Sequence, residues 1–369
     1  MNKKIRILHI TSSFVRGGVE SYLLNFLKRA DYERFEHYIF VGRDDGPLKE
    51  EYHGLPVKIV ALRTSPKRFF YSLPFGWFFC LKNRIDIIHG HNYWFYRYAY
   101  FLSLLTGITL FTSNYGLGLW KRKRQLRLES AIFRRARINT VISKAILEKE
   151  LALVEGSGCP GEKFRLIYPI INDEPMKKLP SYRKEEVRSK FRVDNDKPVF
   201  TIIGRIDKFK GHRIAIDAMK IINRNDLKVN LFIVGANDDP TILREEDLEK
   251  EYIRYFDYYV EIEEIWTVTD LFLIPSISEG TPLVLVEYFA LGKPVIASDI
   301  SGNRELIEDK RNGFLFKTGD VNDLVKKIGD VIEKDNIREI GTNAEEFYRK
   351  NLSPEKFVLK IENCYRDHS

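Results

Sequence analysis

Short runs of β-branched and aliphatic residues alternate with stretches whose apolar positions recur at helical spacing. That alternation is the pattern of parallel α/β architecture, in which each buried strand is followed by an amphipathic helix packed on the sheet. The first run, Ile5–Thr11, leads through Gly17-Gly18 into a helical pattern over Val19–Arg29. Further strands are expected at His37–Gly42, Val57–Ala61, Ile85–His89, Leu110–Ser113, Ile138–Ile142 and Phe164–Tyr168, with helices at Leu126–Ala136 and Lys144–Leu153. A polar stretch from Asn172 to Lys197 reads as a linker with a short helix.

A second series follows. Its strands are expected at Val199–Ile203, Val229–Val234, Leu271–Pro275, Pro294–Ala297 and Gly313–Phe316. Helices are expected near Arg213–Asn223, Pro282–Leu291 and Val321–Glu333, and a last helix runs from the break at Ser353-Pro354 to about Arg366. The pattern predicts two open α/β domains, 1–175 and 190–352, with the helix of about 354–369 packing back on the first. Ligands of such sheets bind at the carboxyl ends of the strands. Two domains facing each other would place a cleft between those ends.

Composition narrows the picture. The chain of 369 residues is 44% hydrophobic and 30% charged, which excludes a disordered, collagen-like or coiled-coil chain. Its three cysteines, Cys80, Cys159 and Cys364, are odd in number and far apart, which excludes a disulfide scaffold and fits a reducing compartment. No signal peptide is read at the N-terminus. The longest uncharged apolar stretches, Phe69–Leu81 and Tyr98–Phe111, are too short to span a bilayer. The expectation is a cytoplasmic protein.

The net charge of +8 is unevenly spread: residues 1–180 hold 30 Lys and Arg against 16 Asp and Glu, whereas the remainder holds 30 against 36. The densest basic run is Lys121-Arg122-Lys123-Arg124, followed by Arg127, Arg134, Arg135 and Arg137. Aromatic residues cluster before it at Phe69–Phe79 and Tyr93–Tyr96. Basic residues beside exposed aromatics suit an anionic membrane surface, here the inner face of the membrane. No nucleic-acid motif is present to claim the basic patch instead.

Four segments carry candidate chemistry. In Ser276–Glu287, a strand end opens a helix at Pro282, leaving Glu279 in the loop and Glu287 in the helix. The backbone N–H groups of Gly280, Thr281 and Leu283, on either side of Pro282, would form an anion site at that helix start. Glu287 suits a ribose diol and Glu279 the hydroxyls of a sugar, because a carboxylate accepts two hydrogen bonds at once. In Gly204–Gly211, Arg205 and Lys210 stand at another strand end and can neutralise a diphosphate. Gly17 and Gly18 let a loop pass close to a phosphate. In Asp86–Asn92, His91 is read as lying past the strand end, facing the cleft, and His89 as packed within the strand. Asp194-Asn195-Asp196 and Asp44-Asp45-Gly46 read as turns.

Taken together these residues resemble glycosyltransferase family 4, retaining enzymes of the GT-B fold, over nearly the whole chain. Glu279 and Glu287 match the family's E-x7-E signature, and Gly204-Arg205, Lys210-Gly211, Gly17-Gly18-Val19-Glu20 and Asp86–His91 look like its other motifs. The resemblance implies two Rossmann-like domains across a cleft, an N-terminal acceptor domain and a C-terminal donor domain. It implies that Arg205 and Lys210 hold the diphosphate, Glu287 the ribose, Glu279 the donor sugar and Gly18 the phosphates from the other domain, with His91 near donor sugar and acceptor. It implies no cofactor and no catalytic metal, the substrate being a nucleoside diphosphate sugar with UDP or GDP expected. The acceptor would be lipid-linked or a saccharide, in cell-surface polysaccharide synthesis. An epimerase of the same fold and a non-catalytic sugar-nucleotide or membrane-binding module are the competing readings. Where relatives often carry Thr-x-His, this chain has Thr112-Ser113-Asn114, and where Asn-Gly is common it has Tyr168-Pro169-Ile170.

Overall fold

A computed structural model describes residues 3–15, 18–63, 69–91, 93–116, 122–224, 228–257, 260–279, 281–332 and 337–367. The chain divides into two compact units, Met1–Ile171 with Ser353–Ser369, and Asn172–Leu352.

The first unit is built on seven parallel strands: β1 (Ile5–Thr11), β2 (Phe35–Val41), β3 (Lys58–Ala61), β4 (Ile87–His91), β5 (Thr109–Asn114), β6 (Ile138–Val141) and β7 (Phe164–Leu166). Its helices are α1 (Gly18–Leu27), α2 (Lys49–His53), α3 (Leu73–Asn83), α4 (Tyr93–Thr106), α5 (Lys123–Arg135) and α6 (Lys144–Val154). The strand order is β3-β2-β1-β4-β5-β6-β7, so the order reverses between β1 and β4. Alternation along β1 sends Leu8 and Ile10 into the core under α3, α4 and α5, and Ile7 into the core on the other face with α1 and α6. Such strands, covered on both faces, read as near-continuous apolar runs, which is why the sequence located them.

The second unit repeats the plan with α7 (Lys184–Lys190), β8 (Val199–Ile203), α8 (His212–Arg224), β9 (Asn230–Val234), α9 (Glu245–Leu248), β10 (Ile253–Phe256), α10 (Ile262–Val268), β11 (Leu271–Ile274), α11 (Leu283–Ala290), β12 (Val295–Ser298), α12 (Ser301–Arg304), β13 (Phe314–Phe316), α13 (Val321–Ile332) and α14 (Ile337–Asn351). The sheet order is β10-β9-β8-β11-β12-β13, with its reversal between β8 and β11. Two features differ from the expectation. The sequence reading has no β10; that strand lies at the sheet edge and is only partly covered, so its pattern is weak. The segment 172–197 is not a bare linker: Val187 and Val193 join a core cluster of this unit, and Arg188 donates to Asp270 and to the Asp194 carbonyl.

The last helix, α15 (Pro354–Asp367), belongs to the first unit. Phe357, Ile361 and Tyr365 enter its core, and Glu362 accepts from the Asp31 N–H at 2.8 Å. Among the described residues no helix is long and apolar enough to cross a membrane.

Candidate functional site

Ligands of open parallel sheets bind at the carboxyl ends of the two strands that flank a reversal of strand order. In the second unit those strands are β8 and β11. The loops leaving them carry Arg205 and Lys210 on one side and Glu279 on the other.

The two loops are tied together by backbone. Asp207 Oδ1 accepts from the N–H groups of Phe209 at 2.8 Å and Lys210 at 3.1 Å, folding the β8 loop into a tight turn. The Ile277 N–H donates to the Phe209 carbonyl at 2.7 Å. Gly211 has φ +70°, and a Cβ there would lie 1.9 Å from the Pro275 carbonyl oxygen. Only glycine lets this loop lie against the end of β11. Gly211→Ala is therefore expected to cost about 1–3 kcal/mol in backbone strain alone, and more from the clash. A clearly lowered unfolding temperature together with weakened nucleotide binding is the predicted result; an unchanged Tm would contradict this reading.

This tie brings Lys210 Nζ to 2.5 Å from Glu279 Oε1, an oxygen that also accepts from Ser276 Oγ at 2.8 Å. Both partners of the ion pair are mostly shielded, with side-chain exposures of 24% and 12%. An ammonium carries three N–H donors, so Lys210 can keep Glu279 and still reach a phosphate oxygen. Arg205 is more open, its guanidinium 3.3 Å from Asp238 and 3.7 Å from Asp207.

Pro282 stands one position before α11, at φ −66° and ψ 120°, rather than inside its first turn as expected. The missing N–H is harmless there too. Phe272 of β11 and Tyr288 of α11 stack with ring centroids 3.6 Å apart, which fixes the helix on its strand. Glu287, beside Tyr288, is half-buried, and its carboxyl has no hydrogen-bond partner among the described residues. Burial pushes its carboxyl up to about 7. Thr281 is buried, Leu283 begins α11, and Gly280 lies outside the described residues.

In the first unit the reversal lies between β1 and β4. Gly17 lies outside the described residues, and Gly18 is the first residue of α1. His91 is not past the strand end: β4 runs two residues further than expected and His91 is its last residue, 2% exposed. It belongs to a cluster that the sequence reading missed. Period-2 alternation puts His9, His37, His89 and His91 on one face of β1, β2 and β4. His9 pairs in register with His89, and Ile7 with His37. Hydrogen bonds run from Tyr115 Oη to His91 Nδ1 (2.7 Å), from His91 Nε2 to His9 Nδ1 (3.0 Å) and from His9 Nε2 to His37 Nδ1 (3.0 Å). His89 bonds to Tyr365 Oη at 2.6 Å and Ser113 Oγ at 2.7 Å. His37 Nε2, at the far end, is buried with no partner among the described residues. Burial keeps all four imidazoles neutral, pushing His37 and His91 down to about 3 and His9 and His89 well below their ordinary range. Nitrogens of His9, His89 and His91 also lie within 4.8 Å of one another, the spacing of a candidate metal-ligand group. All six nitrogens of these three rings are already engaged, His9 with His91 and His37, His91 with His9 and Tyr115, and His89 with Tyr365 and Ser113, so an ion would have to displace hydrogen bonds to bind.

Asp194–Asp196 forms a turn before β8, with Asp194 paired to Lys197, as expected. The aromatic stretches expected beside the basic run divide: Tyr93, Phe95 and Tyr96 are core, whereas Trp77 and Phe78 are exposed.

Residues 183–347 match the family described as Glycosyl transferases group 1, and residues 16–175 match Glycosyltransferase Family 4. The chain is similar to a trehalose synthase of Thermococcus litoralis, with 31% identity over 208 residues, 52% of this chain and 50% of that protein. It is also similar to the N,N'-diacetylbacillosaminyl-diphospho-undecaprenol alpha-1,3-N-acetylgalactosaminyltransferase of Campylobacter jejuni, with 27% identity over 192 residues, 52% of this chain and 47% of that protein. The chain spans about half the length of the curated relatives it matches. Among solved structures it shares its fold with Anabaena Alr3699/HepE in complex with UDP and glucose, at a TM-score of 0.78 and 20% identity, over 97% of this chain and 98% of that one. The two family matches together take in nearly the whole chain, and the protein belongs to the group 1 glycosyltransferases of family 4 type, with the GT-B fold.

Proposed function

We propose that the protein is a retaining, metal-independent glycosyltransferase that moves a sugar from a nucleoside diphosphate donor, UDP or GDP, to a lipid-linked or saccharide acceptor in cell-surface polysaccharide synthesis. The observation that carries this reading is the Lys210–Glu279 pair at the β8/β11 reversal, with the carboxyl of Glu287, which has no hydrogen-bond partner among the described residues, in the following helix. A solved relative in fold holds UDP and glucose, and a relative in sequence acts on a diphospho-undecaprenol acceptor, which supports the donor and acceptor classes.

In this proposal Arg205 and Lys210 neutralise the diphosphate as the bond from sugar C1 to its oxygen breaks. The acceptor oxygen bonds to C1 from the same face, and its proton passes to the leaving phosphate oxygen. Glu279 and Lys210 hold the sugar hydroxyls and the phosphate in one rigid unit. Gly18 and the start of α1 supply close backbone approach to phosphate. His91 has both ring nitrogens committed, to Tyr115 and to His9, so it offers a substrate no hydrogen bond and serves instead to brace the end of β4. The protein works at the inner face of an anionic membrane, held there by its basic N-terminal unit.

Ribose hydroxyls donating to Glu287 would favour its charged form. With the free carboxyl near 7, nucleotide binding at pH 7 is expected to release about half a proton. Calorimetric titration with UDP or GDP, in buffers of different ionisation enthalpy, measures this directly. Glu287→Gln should abolish the release; a buffer-independent enthalpy in the wild type would remove Glu287 from the site. The activity itself is tested by transfer from labelled UDP- and GDP-sugars to polyprenyl-diphosphate sugars with a chelator present. Donor consumption without a transferred product would contradict the proposal.

A further inference from the structure

The helix α3 has apolar residues on its outer face as well as its inner one. Gly76 and Cys80 are its buried residues, and a Cβ on Gly76 would lie 2.5 Å from Tyr98 Oη, so α3 sits close on α4. The positions that face away are Phe75, Trp77, Phe78 and Leu81, with exposures of 48%, 44%, 57% and 50%. Tyr71, in the 3-10 turn that leads into the helix, is 87% exposed. Of fourteen large hydrophobic side chains exposed among the described residues, nine fall between Phe70 and Leu105. Such concentration marks an interaction surface.

The charge of this layer selects the partner. Helices α3, α4 and α5 cover one face of the sheet side by side over a shared core. Asp86 is the single acidic residue between Phe69 and Leu128, a span that holds Lys82, Arg84, Arg97, Arg127 and the run 121–124. Asp86 itself is engaged, accepting from the Arg6 N–H at 2.9 Å and from Lys3. Glu129, on α5, is buried. The exposed side of α3 and α4 therefore offers aromatics and cations with no carboxylate of its own. Two copies meeting through this face would oppose like charges. An anionic bilayer complements both features, taking rings into the acyl boundary and ammonium and guanidinium groups at its phosphates.

We propose that α3 is an interfacial insertion helix, lying in the plane of an anionic bilayer with Phe75, Trp77, Phe78 and Leu81 below the phosphates. This deepens the membrane reading given above and rests on it. An eleven-residue helix is about 16 Å long, enough to lie in the interface and too short to cross it. Attachment is then hydrophobic as well as electrostatic, so raised salt weakens it without abolishing it.

The test uses the full chain with vesicles of phosphatidylglycerol and phosphatidylcholine, in flotation at 0.1 and 0.5 M salt, and with brominated acyl chains as fluorescence quenchers. Expected are co-flotation that persists at high salt, quenching of tryptophan emission, and loss of most of that quenching in Trp77→Phe. The Phe78→Ser/Leu81→Ser variant should partition at least tenfold more weakly while its thermal shift with UDP or GDP matches the wild type. Flotation that vanishes at high salt without quenching would overturn insertion and leave a surface electrostatic contact. No flotation, with a dimer that Phe78→Ser/Leu81→Ser dissociates, would assign the face to a second copy instead. A retained nucleotide shift alongside absent flotation would overturn this inference and leave the glycosyltransferase reading standing.

Discussion

Lys210→Ala is expected to lower the turnover of sugar transfer by about 10²–10³-fold, the usual effect of removing one fixed charge aimed at developing negative charge. The ammonium stands 2.5 Å from Glu279, so its loss also leaves that carboxylate without its counter-charge. Glu279→Ala should abolish transfer to a similar degree. Stability should change far less than activity, because the pair keeps some contact with water and both residues sit in loops. Circular dichroism and thermal unfolding separate the two effects. Lys210→Arg restores charge without the compact three-donor geometry and should recover only part of the rate. A Glu279→Ala protein that folds normally and turns over at the wild-type rate would show that this pair is not the reaction centre.

The second large effect is on stability in mild acid. Four imidazoles in the first unit are held neutral by burial, with His37 and His91 near 3. Once unfolded they take up protons below about pH 6.5. Between those limits the unfolded chain binds more protons than the folded one, so stability falls as pH falls. Each imidazole contributes about 1.4 kcal/mol per pH unit. Glu20 and Glu362 are pushed upward by burial and act in the opposite sense, but the imidazoles outnumber them two to one. The first unit should therefore lose at least about 2 kcal/mol between pH 6.5 and 5.5, read from urea unfolding midpoints. His37→Phe removes one such ring and should reduce the loss over this interval by about 1 kcal/mol. A flat profile across this range would mean that these rings are not neutral in the folded state.

The sequence located most strands because they are covered on both faces and read as near-continuous apolar runs, as Leu271–Ile274 does. It lost Ile253–Phe256, where an edge position leaves Arg254, Tyr255 and Phe256 all half open. Glu279, Glu287, Arg205 and Lys210 were legible one by one from their places beside strand ends. Their assembly was not, because it depends on β8 and β11 becoming neighbours although the parallel strands β9 and β10 intervene in the chain, and on Gly211 meeting Pro275. The histidine cluster stayed hidden for the same reason. His9 and His89 become register partners only when β1 pairs with β4, and a strand end read at His89 put His91 outside. The aromatic segment 69–79 could be read as core or surface alike. Gly76 decides it, since the close approach to α4 turns one narrow stripe inward and leaves the other rings out.

The proposed transfer requires a nucleoside diphosphate to bind at Arg205, Lys210 and Glu287 without metal. Thermal unfolding of the full chain in a chelator, with saturating UDP, GDP, ADP and CMP in parallel, tests this most directly. A ligand at 100 times its dissociation constant adds about 2.7 kcal/mol. The predicted result is a raised unfolding temperature with UDP or GDP that is lost in Lys210→Ala. No shift with any of the four, or an equal shift in Lys210→Ala, would contradict the account.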